Sequence, residues 1–274
     1  MKVRPLDAAL GAEVTDLDLN GAVDDVARSD IRAALAKHQV LCFRDQSFTP
    51  ATLATAAEHF GKAKTFLLEK DHIDGVPQVS IVSNRPPGHV GKPVVQASYW
   101  HTDDSYLKLP ATLTLLYAVT LPESGGDTEF INCYDVLATL PEPLRAQVSE
   151  LSAVHRYNSR RSGSWVAPRS AAEEAASPPV THPLIREHPL TKRLSLYINP
   201  NRISHIDGWD DERRDEGLRL ATLRRASARS ATPRNGGVSP RGAASISTCA
   251  MDGSQPCPRL HPRAASTTQL RWLP

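Results

Sequence analysis

Three short elements of this chain place a histidine two residues before an aspartate, at residues 72–74, 101–103 and 205–207. On an extended or turning segment, an imidazole and a carboxylate at this spacing can reach one metal ion from the same side. Such a pair supplies part of the two-histidine, one-carboxylate set that holds non-haem Fe(II) and leaves other coordination positions open. Because so short a pattern also arises by chance among ten histidines, the neighbouring residues must distinguish a site from a coincidence.

The neighbouring residues favour the second of these elements. At 72–74 and 205–207 the aspartate precedes a glycine, which is typical of a turn that carries a surface histidine. Residues 100–106, WHTDDSY, instead precede a stretch of strand composition, and the glycine-rich SGGDTEF follows at 124–130. The context therefore selects 101–103 as the candidate metal element.

The elements that must position this site are helices and, above all, strands. Thr49 and Pro50 provide an N-cap and a first-turn proline for one predicted helix, and Ser29 is the predicted N-cap of an earlier helix. Runs of β-branched and aromatic residues predict strands at 39–44, 78–84, 111–119, 127–132 and 194–199. Strands and helices do not alternate regularly, which disfavours a doubly wound parallel sheet. We expect an α+β chain with a mainly β core, a sandwich or jelly roll with flanking helices.

Composition places the chain among folded proteins. It has 274 residues, of which 40% are hydrophobic and 23% charged, so disorder throughout is excluded. No apolar run approaches the roughly 18 residues of a membrane span and no secretory signal opens the chain, so we expect a cytoplasmic protein without a membrane partner. The four cysteines lack paired spacing and predict reduced thiols rather than disulfides or a zinc site.

The two parts of the chain differ in character. Residues 1–222 carry helix and strand patterns and form the predicted domain, whereas 223–274 are rich in Arg, Pro, Ser and Ala without periodicity. From Arg219 to the end there are nine arginines and one acid, but no lysine and no interleaved aromatic residues, so we expect no nucleic-acid partner. We expect this tail to be disordered or to be a frame-shifted reading.

Taken together, the segments of about residues 5–218 resemble the TauD/TfdA family of Fe(II)- and 2-oxoglutarate-dependent dioxygenases. WHTD at 100–103 matches the first metal element of the family, and GGDT at 125–128 matches its 2-oxoglutarate element. HQVLCFRDQSFTP at 38–50 and HPLIREHPLTKRLSLYINP at 182–200 match further segments in family order.

The resemblance implies a double-stranded β-helix, or jelly roll, in which His101 and Asp103 bind Fe(II). It also implies that Thr128 donates a hydrogen bond to the distal carboxylate of the cosubstrate, 2-oxoglutarate. With O₂, such an enzyme hydroxylates a small, commonly anionic organic molecule and releases succinate and CO₂. The implied partners are therefore a small-molecule substrate and O₂, and a homo-oligomer is compatible with the resemblance.

The family pattern is incomplete toward the end of the chain. The resemblance requires a second metal histidine and an arginine for 2-oxoglutarate, but no W-D-N element precedes the candidates His261 and Arg271, and their neighbours lack strand character. We therefore expect the C-terminal strands to be missing. The alternative to an active dioxygenase is an inactive relative that fails to retain iron. Ala97, four residues before the metal histidine, is not polar and disfavours taurine as the substrate.

Overall fold

The structure, a computed structural model, describes most of the first 215 residues and three strands beyond them. The described ranges are 1–69, 72–83, 100–120, 128–159, 169–188, 191–215, 244–247, 257–260 and 267–272. Within these ranges no helix is long and apolar enough to cross a membrane. Cys42 and Cys133 are both buried.

The helices with both ends in the described ranges are α1 (Asp25–His38), α2 (Pro50–Ala57), α3 (Cys133–Ala138), α4 (Glu142–Ser149) and α5 (Ala171–Ala176), and residues 211–215 are also helical. Helix α2 begins where predicted, because Thr49 caps it and exchanges side-chain and backbone hydrogen bonds with Thr52. Helix α1 begins earlier than predicted. Its N-cap is Asp24, whose carboxylate accepts a hydrogen bond from the backbone N–H of Ala27, and Ser29 lies inside the helix.

Fifteen strands are present in the same ranges. They are β1 (Lys2–Pro5), β2 (Ala12–Thr15), β3 (Val40–Phe43), β4 (Ala63–Lys64), β5 (Val79–Val82), β6 (Thr114–Ala118), β7 (Thr128–Ile131), β8 (Ser152–His155), β9 (Val180–Pro183), β10 (Ile185–Glu187), β11 (Leu194–Leu196), β12 (Ile203–Ile206), β13 (Ala244–Ser247), β14 (Cys257–Leu260) and β15 (Thr267–Trp272). The predicted strands are confirmed as β3, β5, β6, β7 and β11, each shorter than its run of strand-forming residues.

The largest sheet contains eight strands in the order β1-β2-β3-β13-β6-β15-β4, and β5 pairs with β15 beside this path. Only β2 and β3 run parallel among its described pairs. Strand β6 lies between β13 and β15 and so has backbone partners on both sides. Its first residue, Thr114, is therefore a fixed point from which a side chain can orient a neighbouring loop.

Three smaller sheets complete the strand pairing in the described ranges. They join β10 to β11, β12 to β8 and β9, and β14 to β7. The prediction of an α+β chain with a mainly β core and flanking helices is confirmed. The described strands do not form a closed barrel, so the double-stranded β-helix stays a prediction.

Two hydrophobic cores stabilise these layers. In the first, Ile31 of α1 and Leu53 of α2 pack with Phe43 and Leu115 of the large sheet. The second joins α3 and α4 to strands of the smaller sheets, and its fully buried members include Ala153 and Leu184, with Trp100 packed against it. The candidate metal element follows Trp100 directly, so this element starts on one core and leads toward the sheet that covers the other.

The prediction that the C-terminal strands are missing is wrong for the backbone. Strand β13 lies between β3 and β6, β15 pairs with β4, β5 and β6, and β14 pairs with β7. Without β13, strands β3 and β6 would each present an unpaired edge. Backbone hydrogen bonds can satisfy such edges without an apolar alternation in the added strand, which is why composition failed to reveal these strands. The domain boundary at residue 222 and the frame shift stay predictions.

A proline in the middle of β15 tests this pairing. Gln269 lies opposite Ser80 of β5 and Leu116 of β6, and Gln269→Pro removes its backbone N–H from the ladder. We expect a loss of about 2 kcal/mol of unfolding free energy and a fall in Tm of about 5 °C, measured by thermal unfolding. Gln269→Ala keeps the N–H and is the matched control. Equal melting of the two variants would show that this segment does not pair.

Candidate functional site

The candidate site is built on residues 100–107, a succession of turns that precedes β6. Thr102, Asp103, Asp104 and Ser105 are all nearly inaccessible to solvent. Asp104 adopts the left-handed conformation with φ of 54°, and its carbonyl accepts a hydrogen bond of 2.8 Å from the N–H of Leu107. This tight turn buries four successive polar residues, whose side chains must therefore find partners inside the protein.

His101 and Asp103 converge at the start of this turn. The distance between His101 Nε2 and Asp103 Oδ1 is 3.5 Å, and the two side chains are 19% and 4% exposed. Divalent metals bind nitrogen and oxygen at roughly 2.0–2.2 Å, so two ligands of one ion lie about 3–4 Å apart. The pair thus fits a single metal ion, with the imidazole on the side from which solvent and small molecules can approach.

Thr114 sets the orientation of the Asp103 carboxylate. Its hydroxyl donates a hydrogen bond of 2.9 Å to Asp103 Oδ2, the oxygen that does not face His101. Thr114 is 1% exposed and begins β6, so the donor is held by the central part of the large sheet. A hydrogen bond to the outer oxygen of a carboxylate ligand fixes its rotation and leaves the other oxygen directed at the metal.

Asp104, the second acid of the turn, is bound in an ion pair. Lys64 Nζ lies 2.9 Å from Asp104 Oδ2, and the Tyr106 hydroxyl donates to Asp104 Oδ1 at 3.2 Å. The side chains of Lys64 and Asp104 are 14% and 2% exposed, so each compensates the charge of the other out of water. This pairing ties the turn to β4 and leaves Asp103 as the acid that faces His101.

A group of buried aromatic and histidine side chains lies on the strands behind the turn. His155 stacks on Tyr197 at a centroid distance of 5.7 Å and meets the edge of His182 at 5.3 Å. Burial, and after it the neighbouring Arg186 guanidinium, lower the pKa of His182 to about 4. Burial also holds the pKa of His155 well below its usual range. Both imidazoles are therefore neutral near pH 7.

The other two H-x-D elements are turns, as predicted. His205 Nε2 lies 3.6 Å from Asp207 Oδ1, but both side chains are more than half exposed. The following residue, Gly208, has a φ of 74°, which confirms the turn. At 72–74, His72 Nε2 instead donates to the Phe66 carbonyl at 2.8 Å. The spacing brings an imidazole and a carboxylate close together at 101–103 and at 205–207. The two pairs differ in burial, since the pair at 101–103 is mostly buried and the pair at 205–207 is exposed.

The remaining predicted site residues lie on other elements or outside the described ranges. Thr128 begins β7, is half-buried and lies opposite Leu260 of β14. His261, which follows β14, and Ala97 are outside the described residues. Within the described ranges no group of three His, Cys, Asp or Glu side chains is placed to hold a metal. The third protein ligand therefore stays a prediction.

The register of β15 brings the backbone of the tail to the same region. Arg271 is the pairing partner of Thr114 on β6 and of Lys64 on β4. These are the two residues whose side chains hold Asp103 and Asp104. Arg271, the predicted 2-oxoglutarate arginine, is therefore adjacent along the backbone ladder to the residues that orient the turn.

Comparison with known proteins identifies relatives along most of the chain. The family model described as "Taurine catabolism dioxygenase TauD, TfdA family" matches residues 2–224. An alpha-ketoglutarate-dependent sulfonate dioxygenase of Saccharomyces cerevisiae is 31% identical over 213 residues, 73% of this chain and 49% of that protein. The alpha-ketoglutarate-dependent 2,4-dichlorophenoxyacetate dioxygenase of Cupriavidus pinatubonensis is 28% identical over 216 residues, 74% of this chain and 75% of that protein. The chain spans about half the length of the yeast relatives that it matches.

Solved structures share the fold. A taurine dioxygenase from Burkholderia xenovorans superposes with a TM-score of 0.76 at 25% identity and covers 99% of this chain and 89% of that one. AAD-2 in complex with Mn(II) and N-oxalylglycine gives a TM-score of 0.77 at 21% identity, over 99% of this chain and 96% of that one. The likeness therefore extends across the tail strands as well as residues 1–222.

The Thr114 hydrogen bond leads to a direct prediction about metal affinity. Thr114→Val keeps the shape of the side chain but removes the donor to Asp103 Oδ2, so the carboxylate loses its fixed rotation. We expect the affinity for Co(II), measured by anaerobic titration, to fall about 10- to 100-fold.

Thr112→Val is the matched control for this change. The Thr112 hydroxyl is buried and makes no hydrogen bond with the described residues, so its removal should leave Co(II) affinity unchanged. Equal affinities of Thr114→Val and the wild-type protein would show that Thr114 does not orient a ligand.

Proposed function

The chain belongs to the TauD/TfdA family of Fe(II)- and 2-oxoglutarate-dependent dioxygenases, and we propose that it hydroxylates a small anionic organic substrate with release of succinate and CO₂. The observation that carries the proposal is the convergence of His101 Nε2 and Asp103 Oδ1 at 3.5 Å on a buried turn. The position of this pair within the matched residues and the tether from Thr114 to Asp103 Oδ2 both support it.

His101 and Asp103 are the proposed Fe(II) ligands. A buried carboxylate at 4% exposure favours a neighbouring divalent cation, because water cannot solvate its charge fully. The imidazole is the more exposed of the two, so cosubstrate and O₂ would reach a bound metal ion from its side. Bound Fe(II) supplies the oxidation chemistry that couples decarboxylation of 2-oxoglutarate to substrate hydroxylation. The residues of the turn hold the two proposed ligand atoms, His101 Nε2 and Asp103 Oδ1, 3.5 Å apart.

We propose that 2-oxoglutarate is held by Thr128 and by a cation from the tail. Thr128 lies at the start of β7, directly opposite the last residue of β14. A buried carboxylate requires a paired cation, and a guanidinium fits it with two parallel hydrogen bonds. The backbone register of Arg271 beside Thr114 favours this residue among the tail arginines. His261, one residue beyond β14, is the matching candidate for the third metal ligand.

The proposed substrate class follows from the relatives. The named activities of the similar proteins concern sulfonates, 2,4-dichlorophenoxyacetate and a sulfate ester, which are small organic anions. We infer the same class for this chain, with taurine disfavoured by Ala97. An inactive relative remains the second candidate function, because no third metal ligand joins His101 and Asp103 within the described ranges.

Succinate production tests the proposal directly. The full chain is loaded anaerobically with Fe(II) and 2-oxoglutarate, mixed with O₂ and a panel of alkylsulfonates, sulfate esters and aryloxyacetates, and assayed for succinate and hydroxylated product. We expect His101→Ala and Asp103→Ala each to lower Fe(II) affinity by about 100-fold or more and to abolish succinate formation.

His205→Ala is the matched control, since His205 and Asp207 have the same spacing and nearly the same separation on the surface. It should leave both Fe(II) affinity and turnover unchanged. Equal losses from the His205 change would contradict the assignment of the site. Failure of the wild-type chain both to retain Fe(II) and to form succinate would instead identify the inactive relative.

A further inference from the structure

We propose that Asn199 is a positioning residue of the metal site, which holds the ligand turn in register through its side-chain amide. This inference rests on the proposed function, since it concerns the geometry of the same His101 and Asp103 pair. Asn199 lies 97 residues after Thr102 in the chain, in the loop that leads from β11 toward β12. Nothing in the H-x-D spacing points to it.

The amide of Asn199 contacts the turn on both sides of Asp103. Its Nδ2 donates 2.8 Å to the carbonyl of Thr102 and 2.9 Å to Oγ of Ser105. Thr102 is the residue between the two ligands, so the direction of its carbonyl determines how the backbone presents His101 and Asp103. One amide group thus restrains the peptide between the ligands and the far end of the turn.

Asn199 is itself anchored, so it can act as a fixed support. The residue is 2% exposed, and its carbonyl accepts hydrogen bonds from the N–H groups of Arg202 and Ile203 at 2.9 and 3.0 Å. Ile203 begins β12 and belongs to the second hydrophobic core. The restraint on the ligand turn therefore originates in that core, opposite the Thr114 tether on the large sheet.

Only the nitrogen of this side-chain amide is hydrogen-bonded among the described residues. Asn199 Oδ1 is buried and has no hydrogen-bond partner among the described residues, whereas Nδ2 makes two bonds. Leaving a buried acceptor without a hydrogen bond costs stability. An asparagine is therefore a poor choice at this position if its side chain only fills space. The arrangement fits a residue whose two donor bonds are the useful part.

A second contact on the same side supports the same role. His182 Nε2 donates 3.1 Å to the carbonyl of Leu107, at the end of the turn, and the ring is held by His155 and Tyr197. This bond lies further along the chain from the ligands than the two bonds of Asn199. We therefore expect His182 to limit movement of the turn as a whole and Asn199 to control the separation of the ligands.

The test compares two asparagines of equal burial. Asn199→Leu has nearly the same shape but removes both donors, and Asn132→Leu makes the same change at a residue that is 3% exposed and caps α3 instead. Co(II) is titrated anaerobically into each protein, and the visible absorption spectrum of bound Co(II) is recorded beside thermal unfolding. We expect Asn199→Leu to weaken Co(II) binding about 10- to 100-fold and to change the spectrum.

The control separates positioning from general destabilisation. Asn132→Leu should lower Tm to a comparable degree and leave Co(II) affinity and spectrum as in the wild-type protein. Wild-type affinity and spectrum in Asn199→Leu would overturn the inference. If that variant does not fold, Asn199→Asp keeps the shape while replacing the donor by an acceptor, and its Co(II) spectrum decides in the same way.

Two further readouts distinguish this inference from the proposed function. If wild-type protein binds Co(II) with the expected dependence on Asn199 but forms no succinate with Fe(II), the inference stands and the catalytic proposal fails. Hydrogen exchange of a peptide spanning residues 100–107 is measured in the metal-free proteins as well. Faster exchange in Asn199→Leu than in Asn132→Leu is expected, and equal exchange would contradict the restraint.

Discussion

A buried carboxylate in a turn requires partners that hold its charge and its direction, and the hydrogen bond from Thr114 to Asp103 meets the second requirement. It joins the ligand turn to the central part of the eight-stranded sheet. The bond holds the carboxylate in the orientation that brings Oδ1 to 3.5 Å from His101 Nε2. The proposed chemistry depends on this bond because a metal ion must find both ligands in place.

The turn is bound both to the large sheet and to residues next to the second hydrophobic core. On the side of the large sheet, Thr114 binds Asp103 and Lys64 binds Asp104. On the side of the second core, Asn199 binds Thr102 and Ser105, and His182 binds Leu107. Removing one partner of a buried ion pair lowers the free energy of unfolding by about 3–5 kcal/mol. Movements of the turn that break the pair of Lys64 and Asp104 are therefore strongly disfavoured. The site is thus a bridge between the two hydrophobic cores.

The charged side chains around the turn are also paired or neutral. Lys64 compensates Asp104, so the two acids of the turn are distinguished by their partners rather than by their positions in sequence. The pKa values of His155 and His182 are lowered by burial, and both rings stay neutral. His182 therefore donates its hydrogen bond to the Leu107 carbonyl as a neutral imidazole.

The local parts of this account were accessible from sequence, and the tertiary parts were not. The cap at Thr49, the strands around Val79 and Leu115, and the H-x-D pair at 101–103 depend on residues close in the chain. Thr114, Lys64 and Asn199 act across 11 to 97 residues, and a threonine, a lysine or an asparagine in a predicted strand or loop has no signature of such a contact. The C-terminal strands were missed for a related reason, since backbone pairing satisfies a sheet edge without requiring an apolar pattern.

The most direct test of the central claim is the position of a bound divalent metal. Crystals of the full chain grown with Mn(II) and measured at the manganese absorption edge locate the ion by anomalous scattering, independently of any turnover. We expect a peak at about 2.0–2.3 Å from both His101 Nε2 and Asp103 Oδ1, with Asp103 Oδ2 still bound to Thr114. A peak at His205 and Asp207, or at His101 with the Asp103 carboxylate turned away, would contradict it.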